Sequence, residues 1–329
     1  MRKILMKGLS ALLILITITY IAFTFLEVGL VKAERRAINQ NRSQAEVTEK
    51  LTEMGFYDPI HIKYTKWASN VLKGNLGDYY DSKVTPRPVN DYLYKFMGRT
   101  ILLNGVAFLV AIGISVPLGV LAAVKVRKKT DTIILILTMI FTSVPSFYFG
   151  LLLVLSFVRH FPGILPVSGI GDVLYIARGY PNIWVQVIDV IKHMILPGGA
   201  IALVWIGTLV PFIRTSMLEV MHQDYVRTAK AKGLKPMTVF FKHTFRNALL
   251  PMISITVMLL PTLVISNILV EQVFSWPGMG FLLLESINKG ERDMVMAILL
   301  LYAIIVILGN LLSELLIKKA DARLSQEVS

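Results

Sequence analysis

Few residues in this sequence have the type and the spacing that catalysis requires. The five histidines are scattered, and the two that share a polar stretch, His222 and His243, stand far apart. The sequence contains no Gly-x4-Gly-Lys-Ser/Thr loop for nucleotides, no His-Glu-x-x-His and no Gly-x-Ser-x-Gly. It has no cysteine, which excludes thiolate metal sites. We therefore expect no catalytic residue, no metal site and no cofactor bound by this chain itself.

A long polar, basic segment lies between two apolar runs, at residues 214–251. This stretch carries seven cations and only two acids. Helix-forming residues dominate its first half. Gly233 then ends the helical pattern, and Pro236 keeps it from resuming. A second helical run covers 237–250 and leads into an apolar segment. The pattern predicts a helix, a sharp corner and a second helix, which together form a lever suited to receiving force. A bulky side chain at Gly233 is expected to obstruct the corner.

One face of this predicted lever has the composition of a docking surface. Tyr225, Val226, Ala229 and the pair 232–233 lie near one another at helical spacing. Such a face fits a groove on a cytoplasmic partner. The alternative is a basic interfacial helix that lies on anionic lipid. Small residues around Ala229 favour close docking to protein.

The elements that must hold this lever are membrane helices. The 329 residues are 55% hydrophobic with a mean hydropathy of +0.64, which excludes an ordinary soluble protein. The net charge of +13 does not indicate nucleic acid, because the cations lie between apolar runs and form no continuous face. Each apolar run approaches the roughly 20 residues that cross the hydrocarbon core as a helix. The sequence therefore predicts an all-α integral membrane protein with six spans, at about 9–26, 100–124, 132–158, 197–213, 251–272 and 294–317.

The basic loops orient these spans. The N-terminus, the loop at 125–129, the 214–250 stretch and the tail hold half of the 34 cations and few of the acids, so by the positive-inside rule they are cytoplasmic. The first apolar run is interpreted as a retained span because it is long and no clean signal-peptide cleavage site follows it. We expect a cytoplasmic N-terminus and first helix in 1–31, an extracytoplasmic segment in 32–98, and a five-helix core in 99–329 with 214–250 cytoplasmic.

Prolines and polar residues interrupt the apolar runs. Four spans contain an internal proline, which removes a backbone hydrogen bond and kinks a helix: Pro117, Pro145, Pro211 and Pro261. The polar residues in or near the spans are Asn104, Ser115, Ser143, Ser266, Asn267 and Asn310. These groups either join helices by hydrogen bonds or line a polar route through a bundle that bends. No span has a central charge, which weakens the case for an ion-coupled carrier.

A second candidate surface follows the fifth span. Residues 271–280 read Glu-Gln-Val-Phe-Ser-Trp-Pro-Gly-Met-Gly, and the Pro-Gly-x-Gly part prevents a continuous helix. Apolar residues just outside a membrane either form a loop lying in the interface or cover the mouth of a pore.

Nine stretches, spread over nearly the whole chain, carry a resemblance to a known family. They are Trp67 to Asp78, Pro88-Val89, Thr100-Ile101-Leu102, Pro117-Leu118-Gly119, Pro145-Ser146-Phe147, 224–234, 242–251, 271–280 and Asp321-Ala322-Arg323. Together they resemble the permease subunits of ABC importers, in the form typical of the oligopeptide/dipeptide/nickel group. The long first external loop and the N-terminal span resemble the B-type subunit of the permease pair.

The chain departs from the family pattern at three places. Where the general coupling loop has Glu-Ala-Ala, this chain has Arg227-Thr228-Ala229. Its acid comes earlier, as Asp224, where peptide permeases usually have Glu, and Ala322 stands where Pro is common. These differences leave the docking contacts open.

The resemblance implies a six-span helical bundle of the type I ABC importer kind. It implies a second, similar permease, two ATPase subunits that bind ATP and Mg²⁺, and an extracytoplasmic solute-binding protein. ATPase-coupling residues are then expected at Asp224, Tyr225, Val226, Arg227, Thr228, Ala229, Lys230, Ala231, Lys232, Gly233 and Leu234. An external gate or binding-protein contact is expected at Glu271, Phe274, Trp276, Pro277, Gly278 and Gly280.

The same resemblance makes peptides the first choice of cargo, with nickel chelates or another small solute as the alternative. Two other classes of protein stay open. A membrane enzyme or receptor would act without ATPase partners, and a passive channel would conduct by itself.

Overall fold

The structure is a computed structural model that describes residues 2–38, 52, 57–79, 87–265 and 267–327. Ser266 and parts of the predicted extracytoplasmic segment (39–51, 53–56 and 80–86) lie outside the described residues. The described helices and strands are α1 Arg2–Ile38, α2 Ile60–Leu72, β1 Asp78–Tyr79, β2 Arg87–Pro88, α3 Val89–Val124, α4 Lys129–Ser143, α5 Ser146–His160, α6 Val173–Arg178, α7 Ile183–Met221, α8 Asp224–Ala231, α9 Pro236–Thr238, a π-helix Val239–Phe245, α10 Arg246–Leu259, a 3₁₀-helix Leu260–Leu263, α11 Ile268–Val273, α12 Met279–Lys289 and α13 Arg292–Glu327.

The predicted spans correspond to long apolar helices. Within the described part of the chain, five helical stretches are long and apolar enough to cross a membrane, or six if one bent pair is a single span: 8–27, 89–124, 183–221, 236–263, 292–313 and the pair α4 and α5. The all-helical prediction is confirmed. The continuous span predicted at 132–158 is wrong in detail, because α4 and α5 are bent by 98° at a break. Pro145 caps α5 at that break, where it has no N–H to continue the ladder of α4.

The predicted fourth span is part of a longer helix. The span predicted at 197–213 lies inside α7, whose 39 residues begin at Ile183 and end at Met221. Pro197 and Pro211 lie inside this helix without ending it. In the same way Pro117 lies inside α3, so only Pro145 and Pro261 mark breaks among the four predicted prolines.

The described chain forms two compact units, one of residues 1–98 and 281–308 and one of residues 99–280 and 309–329. In the first unit, α1 packs on α2 through aromatic rings. The centroid of the Tyr64 ring lies 5.1 Å from the ring centroid of Tyr20 and 5.7 Å from that of Phe23. Glu27, at the end of this apolar contact, is buried and bonded to both Lys63 and Arg292. A carboxylate buried to this degree needs such cations to offset its lost hydration.

Two short strands complete the first unit. β1 and β2 pair antiparallel, with Asp78 opposite Pro88 and Tyr79 opposite Arg87. Lys289 of α12 donates to the Tyr79 hydroxyl at 3.4 Å and forms an ion pair with Glu285 at 2.7 Å. The hydrogen bond to Glu285 raises the pKa of Lys289 above its ordinary value, so this lysine stays charged at physiological pH.

In the second unit, glycines bring α3 and α4 close to α7. A Cβ at Gly119 would lie 3.0 Å from the Val210 carbonyl oxygen and 2.7 Å from Ile213 Cβ. A Cβ at Gly207 would lie 2.9 Å from the Thr138 carbonyl oxygen and 2.8 Å from Thr142 Cγ2. Small residues at helix crossings allow this close backbone approach, which is the usual way membrane helices gain packing contacts.

The same unit contains a break after α10, and side chains from other helices bond two of its carbonyls. Pro261 cannot donate to the Val257 carbonyl, which accepts from the Leu260 N–H and from the Ser313 hydroxyl at 3.0 Å. Asn104 Nδ2 donates to the Leu263 carbonyl at 3.0 Å, and Asn104 Oδ1 accepts from Asn267 Nδ2 at 3.1 Å. For this asparagine pair, the structure supports the interpretation that polar residues join helices.

We expect Gly207→Val to destabilise the protein by roughly 1–3 kcal/mol, because the added side chain forces α4 away from α7. Gly199→Val is the matched control, since the same helix carries it and no heavy atom lies within 4 Å of a Cβ at Gly199. Thermal unfolding of both variants in detergent is the measurement. Equal losses of stability would show that the close crossing at Gly207 contributes nothing.

Candidate functional site

The predicted coupling segment, residues 224–234, forms the helix and corner expected from the sequence. Asp224 opens α8, and Gly233 follows its end with φ of 72°. Gly233 N–H donates to the Lys230 carbonyl at 3.0 Å, and Leu234 N–H donates to the Ala229 carbonyl at 3.4 Å. This pair of bonds is the usual termination of a helix by a left-handed glycine. The predicted corner is confirmed, but the expectation that a bulky side chain at Gly233 would obstruct it is wrong. No atom lies within 4 Å of a Cβ at Gly233, so the backbone conformation disfavours a side chain there, and crowding plays no part.

The two faces of α8 have different surroundings. Val226 and Ala229 are buried, and they pack with Val239 of the π-helix and Val220 at the end of α7. Tyr225 is 42% exposed. The sequence pattern placed Tyr225, Val226 and Ala229 on one docking face, and the structure divides them. The apolar pair holds the helix to its own chain, while Tyr225 remains available to another molecule.

The outer surface of the coupling segment is polar and mostly basic. Asp224 and Arg227 form an ion pair at 3.5 Å, which contributes little because both side chains are largely exposed. The other exposed members of the predicted set are Thr228, Lys230, Ala231, Lys232, Gly233 and Leu234. Such a surface lets the segment contact a partner without disturbing the buried pair beneath it.

The helix after the corner is continuous with the next predicted span. Pro236 occupies the first turn of α9, where its missing N–H costs nothing. The backbone then passes through one π-helical stretch into α10, and the buried Thr244 hydroxyl donates to the Val239 carbonyl at 3.2 Å. The Val226–Val239 contact therefore packs α8 directly against the helical stretch that leads into α10.

The second predicted set, residues 271–280, surrounds a buried carboxylate. Glu271 is 1% exposed. Its Oε1 accepts from the Thr100 hydroxyl at 2.8 Å, and its Oε2 accepts from the Gly280 N–H at 2.8 Å. The Thr100 oxygen in turn accepts from the Met279 N–H at 2.8 Å. Two side chains thus satisfy two backbone donors at the start of α12, where helix N–H groups lack partners within the helix.

Trp276 and its neighbours complete the fold of this segment. Trp276 is fully buried and donates from Nε1 to the Arg99 carbonyl at 3.2 Å. Arg99 donates back to the Pro277 carbonyl at 3.4 Å. A Cβ at Gly278 would overlap the Glu271 carboxyl group and lie 2.5 Å from Thr100 Oγ1, which explains why glycine follows this proline.

The burial of these residues limits how they could contact another protein. Glu271, Phe274, Trp276 and Gly278 are all buried, whereas Gln272 and Ser275 are exposed. In this conformation these four residues pack inside the 271–280 segment, and Gln272 and Ser275 form part of its surface. A role of the 271–280 segment as a gate or a binding-protein contact stays a prediction.

Among the described residues, no three His, Asp or Glu side chains lie together in an arrangement that could hold a metal ion. The two candidate segments are separate: a basic helix that ends in a glycine corner at 224–234, and a tightly bonded loop at 271–280.

Comparison with known proteins assigns this architecture to a family. Residues 115–326, which include both candidate sets, match the family described as the binding-protein-dependent transport system inner membrane component. The chain belongs to this family. The family is a component of binding-protein-dependent membrane transport.

The permease is 32% identical over 98% of both chains to the oligopeptide transport system permease protein AppB of Bacillus subtilis. It is 32% identical over 94% of both chains to the dipeptide transport system permease protein DppB of Escherichia coli K12. It is 31% identical to the di/tripeptide transport system permease protein DppB of Pseudomonas aeruginosa, covering 91% of this chain and 90% of that protein. These relatives are transport permeases and not enzymes.

Sequence reasoning missed two groups that organise the permease. Thr100 appeared only within a run that resembles the family, yet it bonds both Glu271 and Met279. Asp131 and Arg214 appeared only as charges that orient the chain, yet they form a bidentate pair at 2.6 and 2.8 Å. One signal was available for the pair, since Asp131 is the single acid that follows the cluster of cations at 125–129.

We expect Gly233→Val to weaken the end of α8 by roughly 1–2 kcal/mol, because valine disfavours a left-handed backbone. Gly233→Asn is the matched control, since asparagine adopts that conformation more readily. Hydrogen exchange of the Gly233 and Leu234 amides measures the effect. The prediction is wrong if both variants exchange as slowly as the parent chain.

We expect Glu271→Gln to destabilise the 271–280 segment by roughly 1–3 kcal/mol, because an amide cannot accept from both Thr100 and Gly280 as the carboxylate does. The neighbouring exposed Gln272→Ala serves as the control. Limited proteolysis at 271–280 reports the loosening. Equal resistance in the two variants would contradict a structural role for the buried carboxylate.

Proposed function

We propose that this chain is a membrane permease subunit of an ATP-driven, binding-protein-dependent peptide importer. The observation that carries the proposal is the match over nearly the whole chain to permeases named for oligopeptide and dipeptide transport. A relation of this extent covers the candidate segments as well as the spans. It supports a shared role, whereas an unrelated function grafted onto the same fold would need only the spans to match.

In the proposed topology both termini and the coupling segment face the cytoplasm, and residues 32–98 lie outside. The charge distribution supports this orientation, since the cations of the 214–250 stretch outnumber its acids. The 271–280 segment then lies on the outer side, because a single predicted span separates it from the coupling segment.

The proposed partners are a second permease, two ATPase subunits and an extracytoplasmic solute-binding protein. ATP and Mg²⁺ bind to the ATPase subunits, and the exposed surface of α8 docks into them with Tyr225 as its aromatic anchor. Closure of the ATPases displaces α8, and the buried Val226 and Ala229 pass this displacement to α7 and to the π-helix. By thermodynamic linkage, a loaded binding protein shifts the ATPase equilibrium in return.

Uptake of a labelled cargo tests this proposal. The two permeases and the two ATPase subunits are purified as a complex and reconstituted into proteoliposomes. They are then supplied with binding protein that carries a labelled dipeptide or oligopeptide. ATP-dependent peptide uptake is the expected result. Uptake of a nickel chelate without peptide uptake would favour the alternative cargo. Peptide flux through this chain alone, without ATPase subunits, would refute the proposal.

We expect Tyr225→Ala to lower the recovery of the ATPase subunits with the permease roughly fivefold or more, because truncation of an interface anchor costs more than about 1 kcal/mol. Tyr94→Ala is the control, since Tyr94 is 71% exposed and lies in the segment proposed to be external. Quantitative co-purification is the measurement. An equal, small effect of both substitutions would remove Tyr225 from the docking surface.

A further inference from the structure

The turn between α3 and α4 is fastened to α7 by one buried carboxylate. Asp131 is 3% exposed. Its Oδ1 accepts from Arg214 Nε at 2.6 Å, and its Oδ2 accepts from a terminal nitrogen of Arg214 at 2.8 Å. Oδ2 also accepts from the Arg127 N–H at 2.9 Å, although Arg127 has φ of 63°, which is rare for a residue with a side chain. The carboxylate therefore holds the turn in an unfavourable conformation while it binds the helix.

A second contact joins α4 to α7 at Gly207, which lies against Thr138 and Thr142. We call this contact and the Asp131–Arg214 pair together the α4–α7 seam. Going from Gly207 to Arg214 on α7 and from Thr138 to Asp131 on α4 covers one heptad in each antiparallel helix, so both contacts lie on the same face. Between them, Ile213 packs against Gly119 of α3. Three helices thus meet where the ion pair lies.

The seam ends close to the coupling segment. From Arg214, α7 continues unbroken to Met221, and Val220 packs against the buried pair Val226 and Ala229 of α8. A bidentate arginine–carboxylate pair fixes orientation as well as distance, which a lysine cannot do. Without it, the last turns of α7 could move with α8 while α3 and α4 stayed in place.

We propose that Asp131 and Arg214 are positioning residues for coupling, which make the end of α7 and the α3–α4 turn move as one body when α8 is displaced. This inference rests on the proposed function, because it concerns how the stroke of the ATPase subunits reaches the spans. Neither residue contacts the partner subunits in this account. They act through the orientation of α7.

The first test measures coupling in the reconstituted complex. Asp131→Asn and Arg214→Lys are each expected to lower peptide uptake per ATP hydrolysed at least about fivefold, with ATP hydrolysis itself retained. The exchanged pair Asp131→Arg with Arg214→Asp is expected to recover part of the ratio. Glu285→Gln is the control, since it weakens the Glu285–Lys289 pair at 2.7 Å, which belongs to the other compact unit. An unchanged ratio in Asp131→Asn would overturn the proposal. Parallel loss of uptake, hydrolysis and thermal stability would also overturn it, because that pattern marks a purely structural pair.

The second test needs no transport, so its failure is distinct from failure of the proposed function. This chain has no cysteine, so two introduced cysteines are its only labelling sites, and it is labelled before the complex is assembled. Spin labels at Lys129→Cys and Gln223→Cys, both exposed positions, report the distance from the start of α4 to the corner after α7. In the full complex we expect one narrow distribution that is unchanged between nucleotide-free and ATP-trapped states, and a broadened one in Asp131→Asn. Equal widths in both chains, or a distance that changes with nucleotide in the parent chain, would overturn the rigid-body claim.

Discussion

The absence of water in the hydrocarbon core constrains every feature of this permease. A backbone N–H or carbonyl group there must find its partner within the protein. Long helices satisfy this requirement by themselves, and the informative places are those where a helix stops. After α10, Ser313 bonds the Val257 carbonyl and Asn104 bonds that of Leu263. Side chains thus supply hydrogen bonds to the backbone where this helix stops.

Hydrogen bonds to the backbone also shape the two candidate segments. Glu271 and Thr100 bond the backbone of residues 279–280, and the corner at Gly233 closes with two backbone hydrogen bonds. In both places the buried groups define a shape, and the exposed groups form the surface offered to other molecules. In the proposed function, the buried part transmits a displacement and the exposed part contacts the partner that delivers it.

Sequence reasoning recovered the features that depend on local pattern. Apolar runs predicted the spans because the length of a helix in lipid is set by the membrane. Gly233 predicted the corner because a left-handed backbone is a local property of glycine. The pattern could not show that Val226 and Ala229 face inward, because an apolar pair on a short helix fits its own chain and a partner equally well. It also could not pair Asp131 with Arg214 or Thr100 with Glu271, since these contacts depend on which helices cross.

The proposed coupling requires that the basic, glycine-terminated corner is on the inner side of the membrane, where ATPase subunits can reach it. Labelling of Lys232→Cys by a membrane-impermeant maleimide measures this directly in right-side-out and inside-out vesicles, with Tyr94→Cys as the outward-facing reference. We predict labelling of Lys232→Cys only in inside-out vesicles, and its protection when the ATPase subunits are bound. Labelling of Lys232→Cys in intact right-side-out vesicles would contradict the account.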